Sequence, residues 1–242
     1  MPSGALTTGH LVPGSVSSPA KGVTVMRGLQ TVSVVDALTT SLREKVLDGK
    51  IDAGVGLTET DVATEYEVSR PTAKTAINQL VQEGLLRREA HKSARVPSLS
   101  RADVEDLFLV RMPLELEVVR LVAGHPVPQA AADAVRDLAE ISPNARHSEF
   151  VEIDLEFHNA LVRAVASPRL SRLYQTLSGE IHLSMVQSRH ALGRDRIVAE
   201  HGGILGALRE GDAAQGESLM RAHLLGARDA LAQQFDSINA AG

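Results

Sequence analysis

Two short helical segments separated by a tight turn constrain the fold of this chain more than any other feature. Thr58 has the character of a helix N-cap and predicts a short helix through Tyr66. Ser69 is a good N-cap for the next helix, which is predicted to end at Gly84. Residues 67–68 form the turn between them. This order predicts a helix-turn-helix.

The segments on either side complete a small domain. Apolar residues recur at helical spacing ahead of the unit, at Val35, Leu38, Leu42 and Val46, and Gly49 closes this first helix. Residues 85–96 are predicted to form two strands around a tip at 90–93. Together these elements predict a winged helix-turn-helix DNA-binding domain over residues 31–98.

The distribution of charge, rather than its total, indicates a nucleic-acid partner. The formal net charge is −5, yet residues 69–95 contain six basic and only two acidic residues. The recognition helix of such a unit presents its N-terminal residues to base edges of double-stranded operator DNA, and the wing reaches the backbone. A solvated basic face is the alternative. The predicted DNA contacts are Arg70, Thr72, Lys74 and Thr75 on the helix, and Lys92 and Arg95 on the wing.

The remainder of the chain divides into a tail and a helical domain. Residues 1–30 are rich in Gly, Ser, Thr and Pro without periodicity, which predicts a disordered tail, and Met26 is an alternative start. Residues 99–242 show only helical patterns and predict six helices in an antiparallel bundle. The fold class is therefore mainly α. The predicted breaks between these helices are at 124–126, 142–144, 167–168, 192–193 and 211–212.

The absence of cysteine restricts the chemistry of any metal site. With no thiolates, a metal must be bound by His, Asp or Glu, and the composition suits a reducing cytoplasm. No apolar run approaches the roughly 18 residues of a membrane span. We expect a cytoplasmic protein without membrane contacts.

Four polar residues on apolar helix faces predict a metal site in the C-terminal domain. Asp154 and His158 are four residues apart on one helix, so their side chains stack on the same face. His201 and His223 lie on apolar stripes of two later helices. Burial of such groups is costly unless they are paired or coordinated, and one divalent ion would satisfy all four. Ordinary hydrogen bonds in the core are the alternative.

An arginine on a buried stripe predicts a carboxylate partner. Arg111 lies on the apolar face of the helix opened by Ser100, where its guanidinium suits bidentate capture of a small organic acid effector. An ion pair with Glu115 is the alternative. Arg189 is a weaker candidate for the same role.

The motifs of the N-terminal domain resemble those of the GntR family of winged-helix regulators. The run 54–63 is similar to the family's first helix, the run 68–77 to its recognition helix, and residues 83–86 to the lead into its wing. Thr60, Lys74 and Ser93 depart from the family pattern. The resemblance implies a transcriptional regulator, expected to be a repressor. A single winged helix covers one half-site, so we expect a homodimer on a pseudo-palindromic operator.

The C-terminal motifs resemble the FCD effector domain of the FadR-like branch of that family. They are Asp154-x-x-Phe157-His158, Glu200-His201-x-x-Ile204 and Met220-x-x-His223. The resemblance implies a divalent metal, zinc first and nickel or manganese as alternatives, with a carboxylate effector completing its coordination and contacting Arg111. A metal-responsive regulator without an organic effector and a metallohydrolase are the competing functions, although no HExxH-type helix is present.

Overall fold

The computed structural model describes residues 33–90, 92–188 and 193–241, with the side chains beyond residue 237 left out. The predicted tail at 1–30, the wing-tip residue His91 and the effector candidate Arg189 lie outside these ranges. Within them the chain forms nine helices and one two-stranded sheet. None of the helices in the described ranges is both long enough and apolar enough to cross a membrane.

The N-terminal elements are three helices and two short strands. The three helices begin after Ser33, Thr58 and Ser69, each of which accepts a hydrogen bond from the backbone N–H three residues on. The predicted helix-turn-helix is confirmed. The elements are α1 (Val34–Leu47), β1 (Gly56–Leu57), α2 (Glu59–Glu65), α3 (Arg70–Gln82) and β2 (Ala94–Arg95).

The wing is smaller than predicted. Two strands are predicted between residues 85 and 96, but the structure has only β2 there, and Arg87 forms a single bridge with Arg95. The antiparallel partner of β2 is β1, which precedes α2 and was not predicted. Leu85 and Leu86 are buried in the core, so the chain reaches the wing only after them.

The described residues of the C-terminal part form six helices and no strand, and the predicted breaks between these helices are confirmed where they lie within those residues. Ser100 and Asp103 form a reciprocal capping box at the start of the first. The mainly helical fold class is confirmed, while the domain boundary at residue 98 stays a prediction. The helices are α4 (Arg101–Val122), α5 (Gln129–Glu140), α6 (His147–Ala164), α7 (Pro168–Ser188), α8 (Arg194–Glu210) and α9 (Ala213–Ala241).

The core of the helical part is built around α4, α6, α8 and α9. Helix α4 packs along α9, α5 packs against α6 and α8, and α6 packs against α7. Each contributes an apolar stripe, as the sequence pattern predicts. Phe157 on α6 is fully buried and stacks on the ring of His201 from α8, with ring centroids 3.9 Å apart. This stacking places polar rings inside an otherwise apolar core.

Candidate metal centre and DNA-binding surface

Three histidines from three helices meet in the core of the helical part. His158 lies on α6, His201 on α8 and His223 on α9, and all three side chains are buried. One ring nitrogen of each lies within 4.8 Å of a ring nitrogen of each of the others. The structure therefore brings together three of the four predicted ligands.

Asp154, the fourth predicted ligand, lies beside this group. Its Oδ1 is 3.6 Å from Nε2 of His201, and His201 Nε2 is in turn 3.4 Å from His223 Nε2. The Asp154 side chain is buried, and its Oδ1 accepts no hydrogen bond within the described part of the chain. Asp154 is not part of the group of three histidines whose ring nitrogens lie within 4.8 Å of one another.

Two further carboxylates orient the histidine rings. Glu115 Oε2 lies 2.6 Å from Nδ1 of His158, and Glu200 Oε2 lies 2.8 Å from Nδ1 of His223. A carboxylate can only accept, so each Nδ1 carries the proton and each Nε2 presents a lone pair. A histidine whose outer nitrogen donates to a carboxylate is the usual arrangement of a metal ligand.

The electrostatics of the cluster keep the rings of His158 and His201 neutral. Burial lowers the pKa of His158, and the neighbouring Glu115 carboxylate only partly opposes this effect. Burial, together with the adjacent His223, holds the pKa of His201 well below its ordinary value. Neutral imidazole is the form that binds a metal.

Arg111 lies in the same buried group and is paired with Glu115. Its Nε donates to Glu115 Oε1 over 2.5 Å, so the ion pair considered as the alternative role is present. The hydroxyl of Tyr174 on α7 donates to the same oxygen, also over 2.5 Å. Arg111 Nη2, however, has no hydrogen-bond partner in the described residues. One guanidinium nitrogen is thus free for another acceptor.

The ion pair is electrostatically strong in spite of its burial. Burial alone would lower the pKa of Arg111, but the Glu115 carboxylate outweighs burial and holds that pKa above its ordinary value. Burial would likewise raise the pKa of Glu115, yet Arg111 and His158 hold it well below its usual range. Both groups are charged at neutral pH.

Sequence reasoning missed the residues that link these groups. Glu115 appeared only as a possible partner of Arg111, although it also bonds His158 and Tyr174. The four-residue spacing from Arg111 was its only signal, and Tyr174 had none. His182 on α7 is also buried but lies outside the group of three histidines, and burial and a nearby histidine lower its pKa to about 4.

The predicted DNA-contacting residues lie at the start of α3 and on β2. Arg70 and Lys74 are exposed and form no ion pair with any other described residue, and the same holds for Arg95. The hydroxyls of Thr72 and Thr75 already take part in hydrogen bonds within the protein. Thr72 Oγ1 is 2.8 Å from the hydroxyl of the N-cap Ser69, and Thr75 Oγ1 donates to a backbone carbonyl.

The other basic residues of this region are neutralised by acidic neighbours. Lys92 pairs with Glu89, which leaves it a weaker candidate for a phosphate contact than Arg95. Arg88 lies 3.8 Å from Glu59, and Arg87 turns towards the helical part. Among the predicted DNA contacts, the cations without an acidic partner in the described residues are therefore Arg70, Lys74 and Arg95, and their contact with DNA stays a prediction.

We expect Arg70→Ala and Lys74→Ala each to weaken operator binding by about 5- to 150-fold, the range of about 1–3 kcal/mol typical of a base contact. An operator selected from a random duplex library allows gel-shift titration at several salt concentrations. Arg209→Ala is a matched control, because it removes one exposed charge from α8. Unchanged affinity in both α3 variants would exclude this surface.

A winged helix-turn-helix with free cations on its recognition helix, followed by a helical part with a buried polar cluster, defines a DNA-binding regulator with a sensing domain. Comparison with known protein families leads to the same class of protein. Residues 35–96 match the bacterial regulatory proteins of the gntR family, and residues 106–226 match the FCD domain. The chain belongs to the GntR family, in its FadR-like branch, and is a transcriptional regulator rather than an enzyme.

Relatives agree with this assignment, and a solved structure shares the fold. The chain is 26% identical over 205 residues to the HTH-type regulator BphR of Paraburkholderia xenovorans, covering 79% of this chain and 82% of BphR. It is 25% identical over 149 residues to YdhC of Bacillus subtilis, covering 60% and 66%. A GntR regulator from Rhodococcus sp. RHA1 has the same fold, with a TM-score of 0.69 at 22% identity over 84% of this chain and 97% of that one.

Proposed function

We propose that this regulator senses a small carboxylate at a divalent metal held by Asp154, His158, His201 and His223, with Arg111 contacting the acid. The observation that supports it is the concentration of unsatisfied polar atoms. Four of the five buried side-chain polar atoms without a hydrogen-bond partner in the described residues belong to Arg111, Asp154, His158 and His201. Leaving such atoms unpaired is costly, and a cation with an acid would satisfy those of Arg111, Asp154 and His158 together. His201 faces Asp154 and His223 with its other ring nitrogen, Nε2.

The donor set fits a divalent metal. Imidazole nitrogens and a carboxylate oxygen are the usual ligands of zinc, and nickel and manganese accept the same groups. The metal would supply positive charge for an acid. The residues of the chain would orient the acid, with Arg111 Nη2 as the remaining free donor. Arg189 stays a weaker candidate for the same contact.

We further propose that the protein acts as a homodimeric repressor. An operator read by two recognition helices requires two copies. Leu109 and Val110 on α4 are 71% and 42% exposed, an apolar surface that a second copy would cover. The repressor assignment is supported by a relative named the gluconate operon transcriptional repressor of Bacillus subtilis, which is 25% identical over 56% of this chain and 57% of its own length.

A regulator that responds to metal alone is the second candidate. It is favoured by the pairing of Arg111 with Glu115, which already occupies one of the guanidinium donors. The two candidates differ in what changes operator affinity, since only one of them requires an organic acid.

Operator titration distinguishes these functions. With zinc-loaded protein, we expect one of acetate, lactate, succinate or citrate to change operator affinity by about 5- to 150-fold, the usual range of coupling between two sites. Arg111→Lys keeps a charge against Glu115 but loses the planar fork, so it should retain zinc and lose the response. A full response to zinc alone would favour the metal sensor. No response to any combination would contradict both functions.

A further inference from the structure

Helix α7 lies between the sensing cluster and the recognition helix. Tyr174 points its hydroxyl to Glu115 in the cluster, whereas Thr176 bonds the end of α3. With about 3.6 residues per turn, Gly179 and Glu180 share the side of Thr176, and Tyr174 is on the opposite side. One rigid helix thus contacts both functional regions directly.

The contact with the end of α3 combines one side-chain hydrogen bond with direct packing of backbone against backbone. Thr176 Oγ1 donates to the carbonyl of Gln82, the last residue of α3, over 3.0 Å. A Cβ added to Gly179 would lie 1.7 Å from the Glu83 carbonyl oxygen, so only glycine permits this approach. Gly84 adopts a φ of +77°, and a Cβ there would lie 2.7 Å from the Thr176 carbonyl oxygen. The two backbones are therefore in direct contact at Gly179 and Gly84, so a shift of α7 is passed to the end of α3.

Polar contacts join α7 to the winged helix at two more places. Glu180 lies 3.5 Å from Nη2 of Arg87 at the base of the wing. Near the other end of α7, the Gln187 side chain donates to the Pro97 carbonyl over 2.8 Å and accepts from the Leu99 backbone N–H over 3.3 Å. The winged helix is therefore attached to α7 at both the recognition helix and the connecting segment.

We propose that α7 couples the sensing cluster to the recognition helix. Tyr174 is the positioning residue on the side of α7 that faces the cluster, and the backbone contact at Gly179 transmits the movement of α7 to the end of α3. This inference rests on the proposed function for the identity of the ligand that binds at the sensing cluster. Glu115 Oε1 accepts from both Arg111 and Tyr174. A metal bound by His158 acts on Glu115 through the hydrogen bond from His158 Nδ1, and an acid acts on it by drawing Arg111 away. Either occupant changes the hydrogen bond of Tyr174, and α7 moves the end of α3 because the two are packed backbone to backbone.

A second route from the cluster to the winged helix runs through α6. Ser148, at the start of the helix that carries His158, donates to Asp48 at the end of α1 over 3.0 Å, and Arg146 pairs with the same carboxylate. These contacts are made by side chains and reach α1 rather than the recognition helix. They connect the cluster to the winged helix more weakly than the backbone contact of α7 does. The Ser148→Ala variant tests their contribution.

The test uses amide hydrogen exchange of residues 79–87 in the full-length protein. Zinc alone is the probe, added to chelator-stripped protein, and zinc content is measured in parallel. In the wild type we expect zinc to change exchange in this segment by about fivefold or more, the effect of about 1 kcal/mol. Gly179→Ala should bind zinc normally and lose this response. Gly206→Ala is the matched control, because it is another helical glycine with open space for a Cβ.

The same exchange measurement on metal-free protein is an independent test. Tyr174→Phe removes only the hydroxyl, and we expect it to speed exchange at residues 79–87 by about fivefold or more without zinc. Zinc binding without an exchange response, a wild-type response in Gly179→Ala, or loss of the response in Ser148→Ala would each overturn the α7 coupling. If the wild type binds no zinc, the proposed metal site is wrong, and unchanged exchange in Tyr174→Phe then overturns the coupling separately.

Discussion

Replacing Glu115 with leucine is expected to lower the free energy of unfolding by about 3–5 kcal/mol, because it leaves the buried Arg111 charge without its partner. The loss is a large share of the roughly 5–15 kcal/mol that stabilises a typical domain. His158 and Tyr174 lose an acceptor at the same time. Guanidinium denaturation of the wild type and the variant, compared at the same pH, measures the difference.

The double variant Arg111→Met with Glu115→Leu separates the ion pair from the rest of the network. Removing both charges leaves no unpaired ion, so much of the lost stability should return, with a coupling energy of about 2 kcal/mol or more. Glu117→Leu is the surface control on the same helix, since the exposed pair of Glu117 with Arg120 should contribute little. Equal losses in Glu115→Leu and Glu117→Leu would mean that the buried network does not form.

The helix starts could be predicted because their signals are local. Thr58, Ser69 and Ser100 each accept a hydrogen bond from a backbone N–H three residues later, so the capping residue and the helix it opens are adjacent in sequence. Strand β1 could not be predicted, because a strand of two residues has no alternation to detect. Its partner β2 is separated from it by two helices, and only the packed fold brings them together.

The candidate site shows the same division between local and long-range information. The burial of His158, His201 and His223 follows from their places on apolar faces, and the structure confirms it. The bonds of Tyr174 could not be predicted, because they depend on how α7 crosses α4. Arg111 was ambiguous for a different reason. A guanidinium on a buried stripe suits an effector acid and an internal glutamate equally well, and the sequence pattern is the same for both.

Zinc is expected to raise the thermal midpoint of the stripped protein by about 8–16 °C. Ligand that binds only the folded state adds about 4 kcal/mol at about 1,000 times its dissociation constant. For a protein of this size, each kcal/mol corresponds to roughly 2–4 °C. The stabilisation arises because His158 Nε2 and Asp154 Oδ1, buried and unpartnered within the described residues, would gain a cation. Differential scanning fluorimetry with and without zinc measures the shift, and elemental analysis gives the metal content.

Variants of the ligands test whether the shift arises at this cluster. His201→Ala should abolish most of it, because His201 contacts both Asp154 and His223 and its loss leaves an incomplete set of ligands. His125→Ala is the matched control, since that histidine is exposed between α4 and α5. Asp154→Asn asks separately whether the carboxylate binds the metal, because the amide keeps the shape and loses the charge. A full shift and full zinc content in His158→Ala, His201→Ala and His223→Ala would place the metal elsewhere and leave the three rings as core histidines.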